Sequence, residues 1–236
     1  MNKGLLLIFG ISIGVRAALA GTPEQNSSLV KAARDRNPNI SVVDALLKAG
    51  ADANSVDAET KAPLIFGVIR DNSAAVIEVL LKSGANINSR DENGNTPLMV
   101  ATGEAVGERS GSKALDVLTL LLKNGADVNS SLKNGGTALF MALSGHPILE
   151  NRLLEVLKIL VDRGADVNRG VSPRKDLIYD TPLTFSVKIK RTDVVRFLIS
   201  HGADPNQKTV SGTALSIARE NGVAELVTLL EASGAK

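Results

Sequence analysis

The stretch Leu121-Leu122-Lys123-Asn124-Gly125-Ala126-Asp127-Val128-Asn129 decides the fold, because its pattern recurs along the chain. Gly-Ala occurs six times after an apolar run, with the glycines at positions 50, 84, 125, 164, 202 and 234. The steps between them are 34, 41, 39, 38 and 32 residues. A period in this range predicts stacked units of supersecondary structure, each of which packs on its neighbours. Such a protein presents an extended surface, so the first question about its function is what that surface binds.

The repeated unit is clearest in residues 89–129, where each segment has a local physical role. Residues 91–95, Asp-Glu-Asn-Gly-Asn, have the composition of a turn. Thr96 is expected to cap a helix, and Pro97 fits its first position, where no backbone donor is needed. A second helix is predicted from an apolar stripe, and Gly125 can take the left-handed conformation that ends it. The stripe consists of Val117, Leu118, Leu121 and Leu122.

The combination of residues 91–98 (Asp-x-x-Gly-x-Thr-Pro-Leu) and residues 121–129 resembles the ankyrin repeat. The resemblance extends over roughly residues 27–236, nearly all of the chain that follows the N-terminal segment. It implies an all-α, elongated and curved solenoid of about six helix-turn-helix repeats, with β-turn fingers along one edge. The implied repeats are approximately residues 27–54, 55–88, 89–129, 130–168, 169–206 and 207–236.

The first and last units carry charge, which suits the two ends of a stack. The first has Lys31 and Arg34 on its first helix, and the last has Glu231 where other stripes have an aliphatic residue. A terminal repeat has no neighbour over its outer face, so polar residues are expected there. The stripe of the first unit is expected to be buried like the others and consists of Val42, Val43, Leu46 and Leu47.

Residues 1–20 have the layout of a secretory signal and are not expected to belong to the fold. A basic start with Lys3 precedes an apolar run at residues 4–15, which is too short to span a membrane. Small residues follow, so cleavage is expected near Ala20, with residues 21–26 as a short leader. The compact layout indicates bacterial export to the periplasm. In the alternative, a eukaryotic secreted protein, the glycosylation acceptors would be Asn26, Asn39 and Asn129.

Composition and charge argue against several classes of function. The chain has 27 basic and 25 acidic residues, and the charges balance once Lys3 and Arg16 are removed with the signal. A neutral chain with 3% aromatic residues has no global attraction for nucleic acid or anionic lipid. Cysteine is absent, which excludes disulfides, thiol nucleophiles and thiolate metal sites. We therefore expect no nucleic-acid partner and no membrane insertion after signal cleavage.

No group of catalytic, cofactor-binding or metal-ligating residues stands out. Histidine occurs twice: His201 is expected in the last turn of a helix, and His146 in a loop between helices. Neither has a second histidine at ligand spacing. Aspartates such as Asp127 recur with the repeat, so they belong to the turn rather than to a unique site. We expect a protein that is not an enzyme and binds no cofactor or metal.

The copies differ most in inserted segments, which in repeat proteins often form binding loops. The third and fourth repeats have extra residues between their helices, around 103–112 and 145–152. The turn of the fifth repeat, residues 169–180, is longer than usual and holds the only tyrosine. Tyrosine and arginine are favoured interface anchors, so this turn is the best candidate contact site. In the alternative, its segment 177–179 packs back onto the first helix of the fifth repeat.

The candidate partner-binding residues come from this long turn and from polar turn tips elsewhere. They are Arg174, Lys175, Leu177, Ile178, Tyr179, Arg90, Glu92 and Lys133. Other residues expected at turn tips are also polar and mixed in sign, so they do not favour one face; among them are Asp57, Glu59 and Asn95.

These observations predict a protein–protein binding module in the periplasm, monomeric when alone. The resemblance to exported bacterial ankyrin proteins implies an immunity or self-protection inhibitor. Such an inhibitor blocks a toxic periplasmic enzyme, for example a peptidoglycan endopeptidase or a lipase. The alternatives are an accessory protein in periplasmic defence against peroxide and a general scaffold of the cell envelope.

Overall fold

The computed structural model describes residues 21–71, 73–107, 111–145, 150–172 and 178–236. The expected signal segment with its cleavage position at Ala20 lies outside the described residues, as does His146. Parts of the insertions in the third and fourth repeats also lie outside them. In the described residues the chain consists of helices joined by turns, and the predicted all-α repeat fold is confirmed.

Twelve helices occur in the described residues, as six pairs that follow one another along the chain. None of them is long and apolar enough to cross a membrane. Their bounds are α1 Pro23–Ala33, α2 Ile40–Lys48, α3 Leu64–Arg70, α4 Ala74–Lys82, α5 Pro97–Val106, α6 Gly111–Lys123, α7 Ala138–Ser144, α8 Glu150–Asp162, α9 Pro182–Lys188, α10 Thr192–Ser200, α11 Ala214–Glu220 and α12 Ala224–Ala232.

The described residues divide into two compact units: unit 1 ends at Asn93, and unit 2 begins at Gly94. In unit 1, helices α1 and α2 pack together, as do α3 and α4, and α2 also contacts α4. In unit 2 each first helix packs on the second helix of its own repeat. The first helices α5, α7, α9 and α11 form a continuous row, each contacting the next, and α10 contacts α12. The stacking predicted from the period is therefore present inside each unit.

Most first helices begin at a threonine whose side chain caps the backbone, as the sequence predicts for Thr96. The Thr96 hydroxyl accepts from the Met99 amide, and Thr137, Thr181 and Thr213 act in the same way. These hydroxyls satisfy amides that have no partner inside the helix. The second repeat has Ala62 at this place, and α3 begins there without a side-chain cap.

An asparagine at the base of the turn ties one repeat to the next. Its side-chain nitrogen donates to the carbonyl of the glycine that ends the second helix of the next repeat. Its side-chain oxygen accepts from the amide of the residue two positions after that glycine. For Asn129 the distances are 2.8 Å to the Gly164 oxygen and 2.9 Å to the Asp166 nitrogen. We call this set the asparagine ladder: Asn54, Asn129, Asn168 and Asn206 make both contacts.

The N-terminal end of the fold begins earlier than the expected start of the repeats at residue 27. Helix α1 begins at Pro23, so most of the expected leader, residues 21–26, is helical. Thr22 makes a capping box with Gln25, which fixes this start. Asn26 then takes the place of a ladder asparagine, because its side-chain oxygen accepts from the Asp52 amide at 2.8 Å.

The core of each unit consists of the predicted apolar stripes. Val117, Leu118, Leu121 and Leu122 are all buried, as predicted. In the first stripe Val43 and Leu47 are buried, but Val42 is 45% exposed, so the prediction for Val42 is wrong. Within the described residues no second helix of an earlier repeat precedes α2 to cover that side chain. At the other end Glu231 is exposed and pairs with Arg219 at 2.7 Å, which fits the expected terminal cap.

Candidate partner-binding surface

The turns that begin the fourth, fifth and sixth repeats form the candidate surface, and all three belong to unit 2. We call them finger 4 (residues 130–136), finger 5 (residues 169–180) and finger 6 (residues 207–212). Finger 5 is closed by an antiparallel bridge in which the Val171 amide donates to the Asp180 carbonyl at 2.8 Å. The Tyr179 amide donates back to the Val171 carbonyl at 2.9 Å. These bonds fix the base of finger 5, although residues 173–177 lie outside the described ranges.

Backbone hydrogen bonds join the three fingers to one another. The Ser172 amide donates to the Asn134 carbonyl at 2.6 Å, and the Val210 amide donates to the Ile178 carbonyl at 2.8 Å. Gly135 allows the first of these approaches, because an ideal Cβ there would lie 2.7 Å from the Gly170 oxygen. The fingers of unit 2 are therefore connected through main-chain atoms, whose positions do not depend on side-chain rotamers.

Three large apolar side chains are exposed on these joined fingers. Ile178 is 37% exposed, Tyr179 42% and Val210 55%, and together they form what we call the apolar finger patch. They account for half of the six large apolar side chains that are exposed in the described residues. Ile178 and Tyr179 are consecutive residues, and the Val210 amide bonds to the Ile178 carbonyl, so the three are neighbours along joined main chains. Exposed apolar groups that gather in this way mark candidate sites of interaction, whereas single scattered ones need no explanation.

Ile178 and Tyr179 do not pack back into the core, which was the alternative for this segment. The Cγ2 atom of Ile178 lies 2.4 Å from where a Cβ of Gly170 would be, so Ile178 leans across its own finger. Only a side chain as small as that of glycine permits this contact. Leu177, Arg174 and Lys175, the other candidates in this finger, lie outside the described residues.

An ion pair fixes finger 5 to the helix that follows it. Lys188 Nζ lies 2.7 Å from Asp180 Oδ1, and it also donates to Ser211 Oγ of finger 6 at 2.9 Å. The Thr184 hydroxyl donates to the same Asp180 oxygen at 3.3 Å. Asp180 is only 17% exposed, so its charge is directed at these partners rather than at solvent. One lysine thus holds the bases of two fingers.

The remaining predicted contact residues are exposed but belong to different parts of the fold. Lys133 is exposed on finger 4, next to the Asn134 carbonyl that receives finger 5. Arg90 and Glu92 are exposed in unit 1. Sequence reasoning missed Val210, because one valine in a short polar turn has no periodic pattern that would mark it.

Asp57, expected at an exposed turn tip, is buried instead, with a relative exposure of 3%. It pairs with Arg34, whose Nε lies 3.5 Å from Asp71 Oδ2. Desolvation raises the pKa of Asp57, but hydrogen bonds from the Glu59 amide, Arg34 and the Thr60 amide outweigh it and hold that pKa below its usual value. Arg34 was expected to face solvent at the end of the stack. Its ion pair with Asp57 instead connects the end of α1 to the turn at residues 55–59 within unit 1.

Two grooves provide rival surfaces, and both have mixed charge. In unit 1 a groove of 1020 Å³ lies between α1 and the turn at residues 55–59. In unit 2 a groove of 530 Å³ between α8 and α10 has Leu154 and Phe197 among its lining residues. Charged residues of both signs line each groove, so neither indicates the charge of a ligand.

The described residues contain no group of three or more His, Asp or Glu side chains close enough to hold a metal ion. His201, expected in the last turn of a helix, is the residue that follows the last residue of α10 and caps its C-terminus. Its ring stacks on Phe197 with the centroids 4.1 Å apart. Its Nδ1 lies 2.7 Å from the Phe197 carbonyl oxygen, which also accepts from the Ser200 hydroxyl at 2.8 Å, so both side chains satisfy a carbonyl at the helix end.

Comparison with known proteins agrees with the repeat architecture. The family model described as ankyrin repeats (three copies) matches residues 29–131 and 148–236. Among solved structures, a crystal structure of an ankyrin repeat domain from Acinetobacter baumannii AYE is similar, with 27% sequence identity and a TM-score of 0.70. The match covers 88% of this chain and 98% of that domain. No curated protein matches, and 478 chains of solved structures do, so the likeness identifies a fold and not a partner.

Proposed function

The chain belongs to the ankyrin-repeat family, whose members are protein–protein interaction modules, and we propose that this one is an exported inhibitor in the bacterial periplasm. Its target is a toxic enzyme of that compartment, such as a peptidoglycan endopeptidase or a lipase. The single observation that carries this proposal is the apolar finger patch on three fingers joined by main-chain hydrogen bonds.

The patch suits an inhibitor because it is held in place before any partner binds. An inhibitor must present apolar groups to the edge of an active site without a large loss of conformational entropy. The bond from Val210 to Ile178 and the pair of Lys188 with Asp180 both reduce that loss. Tyr179 adds the kind of side chain that most often anchors an interface.

Export is proposed from the sequence of residues 1–20, with its basic start, apolar run and small residues before position 21. The asparagine ladder argues against glycosylation at one acceptor of the eukaryotic alternative. Asn129, one of the glycosylation acceptors of the eukaryotic alternative, uses its side-chain nitrogen to bond Gly164. A glycan attached to that nitrogen would compete with the contact between two repeats.

The test is capture followed by an activity assay. The mature chain, residues 21–236, is immobilised and exposed to a periplasmic extract, and each retained hydrolase is assayed with increasing amounts of the free chain. We expect a retained hydrolase whose activity falls to a stoichiometric end point. A hydrolase that stays fully active when saturated with the chain would sink the inhibitor hypothesis.

A variant pair links the assay to the finger patch. Val210→Ser removes an apolar group from the patch, and Val42→Ser removes another exposed valine, from unit 1. We expect Val210→Ser to weaken inhibition and Val42→Ser to leave it unchanged. Equal effects of the two substitutions would place the contact elsewhere.

A further inference from the structure

Basic residues border the apolar finger patch. Lys133 precedes Asn134, which receives finger 5, and Arg169 precedes Gly170, on which Ile178 rests. Lys208 lies in finger 6, two residues before Val210. All three side chains are exposed. The fingers are therefore not only apolar at their centre but also positively charged around it.

The positive charge is largely uncompensated within the described residues. Lys133, Arg169 and Lys208 form no ion pair there, whereas the one carboxylate of the described finger residues, Asp180, is engaged by Lys188. Arg169 donates instead to neutral oxygens, the Ser131 hydroxyl at 2.9 Å and the Asn129 carbonyl at 3.3 Å. The charge of its guanidinium is thus fixed in position but not neutralised.

This basic border is local and specific to unit 2. The chain after residue 20 is neutral overall, so the border does not reflect a generally basic protein. In unit 1 the turn at residues 55–63 has two acidic residues, Asp57 and Glu59, and one basic residue, Lys61. In unit 2 the acidic residues that recur with the repeat lie in the Gly-Ala-Asp segment that precedes each finger. One of them, Asp166, accepts a hydrogen bond from the Asn168 amide at 2.9 Å.

We propose that the finger surface of unit 2, by which we mean the apolar finger patch with Lys133, Arg169 and Lys208 around it, binds a protein surface with an apolar centre and an acidic border. The proposal rests on the proposed function and names the class of partner for the same site. Tyr179, Ile178 and Val210 enter the apolar centre, while Lys133, Arg169 and Lys208 face carboxylates around it. Complementary charge at an interface rim acts mainly on the rate of encounter and on the choice among partners.

The probe is a phage-displayed library of random peptides, selected on the immobilised mature chain at low ionic strength. We expect the selected peptides to combine aromatic or aliphatic residues with a net negative charge, and to bind more slowly as salt is added. Neutral or basic selected peptides, or no enrichment of acidic ones, overturn the proposal.

Charge-reversal variants show whether those peptides use the finger surface. The finger variant carries both Lys133→Glu and Lys208→Glu. Its control, the helix variant, carries both Lys113→Glu and Lys123→Glu, which make the same change of charge at exposed positions of α6. We expect the finger variant to lower the association rate about tenfold or more, and the helix variant to change it little. Equal rates for the two variants contradict the proposal.

The two proposals fail in different ways. If a captured hydrolase is inhibited but its association rate does not depend on Lys133 and Lys208, the acidic-partner inference fails and the inhibitor function stands. If acidic peptides bind the fingers and captured hydrolases remain active, the inhibitor function fails and the surface assignment stands.

Discussion

The amide of Val210 donates a 2.8 Å hydrogen bond to the carbonyl oxygen of Ile178, so side chains from successive fingers share one exposed surface. The bond joins two turns that are 32 residues apart in the sequence. Because it uses only backbone atoms, it persists when either side chain is replaced by another that keeps the local conformation. The surface can therefore be altered chemically while its framework is kept, which the following predictions use.

Replacing Tyr179 with alanine should weaken partner binding about tenfold or more, because a central tyrosine is a frequent anchor of binding energy. The side chain is 42% exposed, so its removal should change the stability of the free chain by less than about 0.5 kcal/mol. Calorimetric titration with the captured partner measures the first effect, and urea unfolding measures the second. Unchanged affinity would remove Tyr179 from the interface.

Replacing Gly170 with alanine should displace finger 5, because the new Cβ would lie 2.4 Å from Ile178 Cγ2 and 2.9 Å from the Asp180 oxygen. We expect faster hydrogen exchange of the Val171 and Tyr179 amides, measured by NMR. Gly103→Ala is the control, since Gly103 lies in α5 with no atom within 4 Å of the added Cβ. That variant should be more stable by up to about 1 kcal/mol, because alanine is the better helix former.

Replacing Asn168 with alanine should break one step of the asparagine ladder. Both partners, the Gly202 carbonyl and the Asp204 amide, lose a bond, and we expect a loss of about 1–3 kcal/mol in the free energy of unfolding. Asn124→Ala removes one exposed bond within its own helix end and should cost less. Urea titrations compare the two variants. Equal losses of unfolding free energy in the two variants would mean that the ladder bonds stabilise the fold no more than a single bond at a helix end does.

The pair of Arg34 and Asp57 should make stability depend on pH in acid. Because folding lowers the pKa of Asp57, this residue contributes stability above its unfolded pKa of about 3.9, and the contribution is lost as pH falls through the folded pKa. We expect the difference in unfolding free energy between the native chain and Asp57→Asn to be constant near neutral pH and to shrink below about pH 4. Chemical unfolding at a series of pH values measures it, and a difference that grows toward acid would contradict the assignment.

The sequence predicted the repeats well because their signals are local. The glycine at each helix end, the capping threonine and the apolar stripe all act within a few residues, and Gly125, Thr96 and Leu118 behave as expected. The period then showed that the same pair of helices recurs along the chain. The exposed charge of Glu231, at the aliphatic position of its stripe, was also predicted.

The contacts that the sequence did not predict are those between distant segments. Arg34 and Asp57 were both expected to face solvent, and neither has a neighbour in sequence that indicates their pairing. Val210 joins the patch only because a backbone bond places finger 6 beside Ile178. The spacing of Gly-Ala identified finger 5 as unusual, but not which side chains it exposes.

The contacts of the asparagine ladder are not symmetric between the two repeats that they join. Each ladder asparagine supplies the side chain, and the repeat that follows supplies only a carbonyl and an amide. A unit with the Gly-Ala turn can therefore be received behind any unit that carries a ladder asparagine, because it supplies only those two backbone groups. A unit added in front must bring its own amide side chain, as Asn26 does for the first pair of helices. Gene duplication of internal units can thus lengthen such a protein without redesign of the joints, leaving the fingers free to diverge.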